Sequence, residues 1–452
     1  MQGAIGPCPH AFRIPHAALF GSMTPAARLS AAIEVFADIE TRRRPAADAL
    51  KDWGLAHRFA GSKDRAAIAS LVYDALRRKA SAAWIMGEAT PRAVLLGMLR
   101  LQRGQDVETI AALCSGERFA PAPLSDEERD RLARGTLDGA PAHVAGDFPE
   151  WLGPSLSRAF ADETIAELQA LARRAPLDIR VNALKTDRDR VAAALAHLDV
   201  APTPHSPWGL RIRTGEDGRG PALQSEPEFI KGWFEIQDEG SQLAALLAAA
   251  KPGEQVVDLC AGAGGKTLAL AAAMQNKGQI YATDLDARRL APIHERLARA
   301  GVRNVQVRTP RGKADAVADL EGKIDCVLVD APCSGSGTWR RNPDAKWRLR
   351  PGSLDARRKE QAGALERAAR LVKPGGRIVY VTCSLLPEEN DEAVAAFLDR
   401  HDEFLPEPEL EHSPELPTGL SDAVRPGSLG IQMSPRRTGT DGFYVSILRQ
   451  SQ

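Results

Sequence analysis

An acid and two thiols, each just past a short apolar β-branched run, are the groups through which this chain could do covalent chemistry. In VLVDAPCSGSGTWRRNP (327–343), Val327 to Val329 reads as a buried strand, and Asp330 and Cys333 follow where that strand ends. Fifty residues after Cys333, a strand read over Arg377 to Val381 runs into Thr382-Cys383-Ser384. Parallel sheets bind ligands beyond the carboxyl ends of their strands, so both cysteines can reach one rim. A single cysteine is more often a small buried hydrophobe; two at strand ends of one sheet point to function. Ser334-Gly335-Ser336-Gly337 is flexible enough to close around a planar ligand. Trp339, Arg340, Arg341, Lys346, Trp347, Arg348 and Arg350 then combine cations with indoles, a pairing that suits phosphates and unstacked bases.

A second constellation lies upstream. Gln255 to Leu259 reads as a strand flowing into Cys260-Ala261-Gly262-Ala263-Gly264-Gly265-Lys266, and Thr267 to Met274 as an alanine-leucine helix. A further strand, Ile280 to Thr283, ends in Asp284. This is the arrangement of a nucleotide-type cofactor site: glycines allow close backbone approach and the acid accepts from ribose hydroxyls. The competing role for Asp284 is a helix N-cap. GAGGK lacks the GxGxxG spacing of a pyrophosphate turn, so a cofactor without pyrophosphate, such as S-adenosylmethionine, fits better.

The elements that must position these groups follow from the rest of the chain. At 452 residues, two to four domains are expected. Lysine plus arginine and aspartate plus glutamate balance at 59 each, so any nucleic-acid footprint must be local. Six cysteines without CxxC or metal-ligand spacing argue against a disulfide scaffold and a zinc site, and fit a reducing cytosol. No apolar run approaches the roughly 20 residues of a membrane helix. The expected protein is cytoplasmic and monomeric.

Residues 1–23 read as a disordered or mis-started extension, with Met23 as an alternative start. Leu29, Ile33 and Phe36, then Ile68, Leu71, Val72, Ala75 and Leu76 after a Ser62 cap, lie at helical spacing, and Thr90-Pro91 starts another helix. Four or five short helices are predicted over 24–120, with basic patches at Arg42 to Arg44 and Arg77 to Lys79 that charge runs usually reduce to solvated faces. Over 121–235 the pattern predicts a proline-rich linker, an acidic helix (Ser125 to Leu132), and a small α+β unit with strands at Ile179 to Leu184 and Trp208 to Ile212 around a helix at Asp187 to Leu198. From 236 to 452 strands alternate with helices, which predicts a doubly wound α/β domain with a parallel sheet and a closing strand from Phe443 to Leu448. Residues 386–424 are expected to cover an edge, without chemical consequence.

The segments Arg180-Val181-Asn182, QDEGSQ (237–242), DLCAGAGGKT, DAPCSGSGTWRRNP, VTCSLLPEEN and Asp441-Gly442-Phe443 resemble, in order, the motifs of the Sun/Nop-type RNA cytosine-5 methyltransferases, most closely the RsmB-like branch. The helical region is similar to that branch's NusB-like RNA-binding domain. The resemblance implies an S-adenosylmethionine-dependent enzyme acting on RNA, ribosomal rather than transfer RNA. It assigns the nucleophile to Cys383 and release of the adduct to Cys333. It places Asp330 against nitrogen 3 of the cytosine, which requires a proton there, and Lys266 near the target nucleotide. It also implies that the loop Cys260 to Lys266 cradles the methionine part of the cofactor, Asp284 its ribose, with Arg289 supporting and Asp330 closing the pocket. The chemistry has its own logic: a thiolate adding at carbon 6 makes carbon 5 nucleophilic enough to take a methyl group.

One departure stands out. A position usually acidic in the family falls on Arg311, within Arg308-Thr309-Pro310-Arg311-Gly312-Lys313, with Asp315 as the nearby substitute; Asn342 stands where histidine is frequent. Two other readings follow: an enzyme whose nucleophile is Cys333, as in the DNA cytosine methyltransferases, and an RNA-binding ribosome assembly factor with a degenerate cofactor site.

Overall fold

The computed structural model describes residues 22–213, 220–310, 315–407, 420–427 and 429–452. The expected extension up to Gly21 and the departure at Arg311 lie outside them. From Pro25 to Leu113 the chain forms six helices, Pro25–Arg42, Ala46–Ala56, Ser62–Arg77, Lys79–Met86, Pro91–Leu101 and Val107–Leu113, one more than the upper expectation. The unbroken apolar pattern hides a break at Arg78 (φ −112°, ψ 24°). Gly61, not Ser62, occupies the cap position of the third helix. Thr90 caps the fifth as anticipated, accepting from Ala93 N at 3.2 Å with Pro91 in the first turn. Leu29, Phe36, Ile68, Val72 and Leu96 meet in one core, which Leu124 and Leu132 of the following segment join.

The small α+β unit is a four-stranded antiparallel sheet: β1 (Leu177–Val181), β2 (Val200–Pro202), β3 (Gly209–Ile212) and β4 (Phe234–Ile236), in the order β2-β3-β1-β4. Strands β2 and β4 escaped prediction because three residues carry too little alternation. The predicted helix is shorter, Arg188–Ala194, with Asp187 as its cap, and ends in a separate 3₁₀ turn.

The large sheet follows from buried β-branched runs: β5 (Gln255–Asp258), β6 (Gln279–Ala282), β7 (Val305–Val307), β8 (Ile324–Asp330) and β9 (Val372–Thr382) are all parallel. It is mixed rather than wholly parallel, because β13 (Tyr444–Gln450) runs antiparallel beside β9, with β10 (Phe404–Pro406), β11 (Arg425–Pro426) and β12 (Ile431–Gln432) beyond it. The order β13-β9-β8-β5-β6-β7 reverses direction between β5 and β8, so the crevice of a doubly wound sheet opens there.

The basic, tryptophan-bearing stretch after Gly337 is not an open nucleic-acid surface. Trp339, Arg340 and Lys346 are buried. Arg340 and Arg341 are ion-paired to Asp238 and Asp441, at 3.1 and 2.6 Å to Asp238. Trp347 Nε1 donates to Leu76 O at 2.7 Å, and Lys346 Nζ donates to Asp147 O at 2.6 Å and Arg77 O at 3.1 Å. Arg77 in turn donates to Arg340 O at 2.7 Å. From Trp339 to Trp347 the stretch is a seam between the helical region and the large sheet, and Arg340, Arg341 and Lys346 serve acids and carbonyls distant in sequence, whereas Arg348 and Arg350 are exposed and Arg348 pairs with nearby Asp344 at 3.0 Å. Arg44 likewise pairs with Asp38 and Asp52, and Lys79 with Glu40.

Burial pushes the Lys346 ammonium down to about 7 from the ordinary 10.5, further lowered by Arg78, Arg77 and Lys79 against the opposing pull of Asp147. The unfolded chain therefore holds a proton that the folded protein releases near neutrality, and this contribution costs stability in full below about 7 and progressively less up to 10.5. Lys346→Met removes that cost, so its melting temperature minus that of the wild type should fall as pH rises from about 7 to about 9, as read by thermal unfolding at each pH.

Candidate active site

Strands β8 and β9 hydrogen-bond in parallel up to the pair Asp330 and Val381, and Ala331 N continues the ladder to Val381 O at 2.8 Å. The two turns that leave these strands are therefore neighbours, and Cys333 Sγ lies 3.3 Å from Cys383 Sγ. Gly337 locks them together: its N–H donates to Cys383 O at 3.0 Å and its carbonyl accepts from Gly442 N at 2.9 Å. A Cβ at Gly337 would stand 1.9 Å from Gly442 O, so only glycine permits this approach. The hydrogen bond with Cys383 holds the Cys333 thiol well above the usual thiol range, aided by burial and by electrostatic interaction with Cys383 and Glu389. One sulfur thus keeps its proton beside the other.

One strand away, at the β5 end, the glycine loop turns the chain into the helix Gly265–Ala273. Gly264 has φ +83°, and a Cβ there would meet Ile293 at 2.5 Å. Lys266 Nζ, buried, donates to Asp330 Oδ2 at 2.7 Å and lies 5.1 Å from the Phe443 ring centroid. Asp330 is not fully buried: its side chain is 32% exposed, and its carboxylate is held in this ion pair. Asp284 is not a helix cap. Its carboxylate accepts from Gly262 N at 3.0 Å and Asp286 N at 2.9 Å, Asp286 caps the next helix, and Arg289 stands 3.7 Å from it at the exposed rim.

Asp258, where β5 ends, accepts from Thr267 Oγ1 at 2.6 Å, and its other carboxylate oxygen is buried without a partner. Burial, then the charges of Asp330 and Asp284, push this carboxyl up to about 7. Three acids around a glycine turn, one with an orphaned oxygen, suit a ligand carrying positive charge, and S-adenosylmethionine carries a sulfonium and an ammonium. Burial pushes the Cys260 thiol up to about 12, away from the thiolate form.

The expected residues Cys333, Cys383, Asp330, Lys266 and Asp284 are thus gathered at adjoining strand ends, together with Asp258, which sequence reasoning did not single out. Asp315 does not join them; its carboxylate accepts from Arg367 Nε at 2.8 Å on the helix Pro351–Leu371. Sequence reasoning missed the groups that hold the loop from behind. Arg180 donates to Gly265 O at 2.9 Å and also to Gln237, while Arg296 donates to Ala263 O at 2.8 Å and pairs with Glu235. Arg180 and Gln237 lie in motifs the resemblance had singled out, but no spacing rule linked them to the loop. The segment expected to lack chemical consequence also contains Glu389, which is wholly buried and bonded to both cysteine turns.

Comparison with known proteins agrees with this geometry. A family profile described as 16S rRNA methyltransferase RsmB/F matches residues 245–449, and one described as the RsmF/B-like ferredoxin-like domain matches residues 148–217. The chain is 35% identical to the ribosomal RNA small subunit methyltransferase B of Sodalis glossinidius, over 74% of this chain and 71% of that protein. It is 30% identical to the protein of the same name from Erwinia tasmaniensis, over 87% and 92%. Among solved structures, a methyltransferase homologue from Pyrococcus horikoshii superposes with TM-score 0.55 at 29% identity, covering 68% of this chain and 97% of that one. NSun6 of the same organism, solved with SFG, shares the fold with TM-score 0.56 at 22% identity, covering 68% and 99%.

Gly337→Ala should lower stability by about 1–3 kcal/mol and abolish activity, since backbone must move to admit the methyl; thermal unfolding and a methyl-transfer assay report both. A bound cation favours the ionised form of Asp258, so affinity for S-adenosylmethionine should rise with pH through about 7, with proton release on binding. Calorimetric titrations in buffers of different ionisation enthalpy should show this for the wild type, and Asp258→Asn should lose the proton release assigned to this carboxyl.

Proposed function

The chain belongs to the RsmB/F family of 16S rRNA methyltransferases, S-adenosylmethionine-dependent enzymes, and from that premise we propose that it methylates carbon 5 of a cytosine in ribosomal RNA through a covalent Cys383 adduct. The contact of the two sulfurs at 3.3 Å is the observation that carries this reading. The cofactor supplies an electrophilic methyl group on sulfur. The glycine loop from Cys260 to Gly265 would hold its methionine part, with Asp284 and Arg289 at the ribose, and the acids around Asp258 would compensate its charge.

Cytosine is a poor nucleophile at carbon 5. Cys383, as thiolate, adds to carbon 6 and breaks the ring's 5,6 double bond, so electron density reaches carbon 5, which takes the methyl group as the methyl–sulfur bond of the sulfonium breaks and S-adenosylhomocysteine leaves. Asp330 contacts nitrogen 3, where charge builds during the addition, and the Lys266 ammonium beside it keeps a proton available at this edge. Carbon 5 then bears both a methyl group and a hydrogen. Loss of that proton, assisted by Cys333, restores the double bond and expels Cys383. The raised Cys333 thiol suits this partner role: it stays protonated while Cys383 attacks, and after its own proton has passed to solvent its thiolate is basic enough to take the proton from carbon 5. The base must leave its stack for a thiol to reach carbon 6, so the target is single-stranded or flipped out.

Covalent trapping tests the assignment. Wild type, Cys333→Ala and Cys383→Ala are each incubated with ribosomal RNA and S-adenosylmethionine and run on a denaturing gel. Cys333→Ala should accumulate an RNA-linked band, and Cys383→Ala should neither trap nor turn over. A band with Cys383→Ala alone would assign the nucleophile to Cys333.

A further inference from the structure

Glu389 lies in the short turn Pro387–Glu389, past the second cysteine, and its side chain is completely removed from solvent. A carboxylate in such a place needs partners, since burying one without them costs several kcal/mol. Its partners are unusual in origin. Oε1 accepts from Ser334 N at 2.8 Å and from Gln361 Nε2 at 3.1 Å; Oε2 accepts from the hydroxyls of Ser334 and Ser384, both at 2.5 Å. Ser334 follows Cys333 and Ser384 follows Cys383, so one carboxylate holds the residue after each thiol. Gln361 extends the grip, because the same amide nitrogen donates to Pro332 O at 3.0 Å, immediately before Cys333. Ser336 closes the cluster, with its Oγ 3.1 Å from Ser384 Oγ and accepting from Leu385 N at 2.8 Å. Four donors converge on two oxygens, a demand that an acceptor-only carboxylate meets and a carboxamide, whose NH₂ is a donor, does not.

We propose that Glu389 is the positioning residue that sets the distance between Cys333 and Cys383, by clamping through Ser334 and Ser384 the two turns that carry them. The inference rests on the two-cysteine reading above and adds to it the group that makes the two sulfurs a pair. The strand ladder stops before the cysteines, at Asp330 and Val381, so beyond that point the turns depend on side chains and on Gly337 for their register. The Glu389 charge also contributes to holding Cys333 in its thiol form. Glu389 touches neither sulfur by hydrogen bond, and its influence on the reaction runs through the serines.

The test separates geometry from chemistry. Phenylarsine oxide bridges two thiols only when they are held close together, so its affinity reports the Cys333–Cys383 spacing without RNA or cofactor. Wild type should bind it in a manner lost in both Cys333→Ala and Cys383→Ala. Glu389→Gln should weaken that binding by about tenfold or more, because the second thiol no longer engages in place. The same variant should lower kcat by about a hundredfold with KM for RNA and affinity for S-adenosylmethionine unchanged, as expected when reacting groups are misplaced by about 1 Å. In the Cys333→Ala background it should also slow adduct formation.

Wild-type arsenical affinity in Glu389→Gln overturns the proposal, whether or not kcat falls, since the spacing would then not depend on the clamp. Should Glu389→Gln fail to fold, Ser334→Ala/Ser384→Ala carries the test: it removes both hydroxyl grips, and wild-type arsenical affinity and kcat in it overturn the proposal equally. If Cys333→Ala forms no RNA adduct while the arsenical results hold, the positioning role stands and the covalent mechanism fails.

Discussion

The parallel pairing of β8 with β9 is the constraint on which this site depends. Cys333 and Cys383 are 50 residues apart in the chain, and nothing local brings them together. Two adjacent parallel strands that end at the same level do, because each chain must leave the sheet over the same edge. With β5 on the other side of β8, the same edge also receives the glycine loop and Asp258. The groups of the candidate site thus come from three neighbouring strand ends, and their spacing is that of a sheet.

A sheet edge alone gives proximity to a few ångströms, and the remaining precision comes from buried polar groups behind the site. Arg180 and Arg296 fasten carbonyls of the glycine loop, Gln361 fastens the carbonyl before Cys333, and Gly337 fits its backbone against those of Cys383 and Gly442. The guanidinium of Arg180 is so withdrawn from water that its affinity for a proton falls to about 10. Such groups stay buried only when their hydrogen bonds are made, which couples the loop's shape to the docking of the small domain that supplies Arg180. The same logic governs the cluster of Arg340 and Arg341 with Asp238 and Asp441, where three separate motifs meet; removing one member would leave a charge uncompensated away from water.

That cluster explains why the basic stretch misled. Arg340, Arg341, Lys346 and Trp347 have the composition of a nucleic-acid surface, and composition cannot tell a cation facing phosphate from one facing a buried aspartate. Asp238 and Asp441 lie about a hundred residues away on either side, so their neutralising role is invisible in the linear order. In the folded protein the stretch joins the helical region to the catalytic sheet and passes directly from the first cysteine turn into that seam.

The sequence by itself determined the doubly wound core, the glycine loop with Asp284 and the two cysteine turns. Each of these is local: a β-branched run followed by a small residue cluster or a reactive side chain, with meaning carried by periods of a few residues. It did not reveal the three-residue strands β2 and β4, which are too short to show a period, or the break at Arg78, where the apolar pattern continues through a change in backbone angle. Only the tertiary structure decided which polar groups serve one another. Glu389 reads in sequence as one acid of a polar run, yet folding places it out of water between two serines; Asp330, read only as the acid that ends a strand, is partly exposed and paired with Lys266. Hydrogen bonds and ion pairs act over about 3 Å regardless of chain separation, so their partners are fixed by how the strands and helices pack.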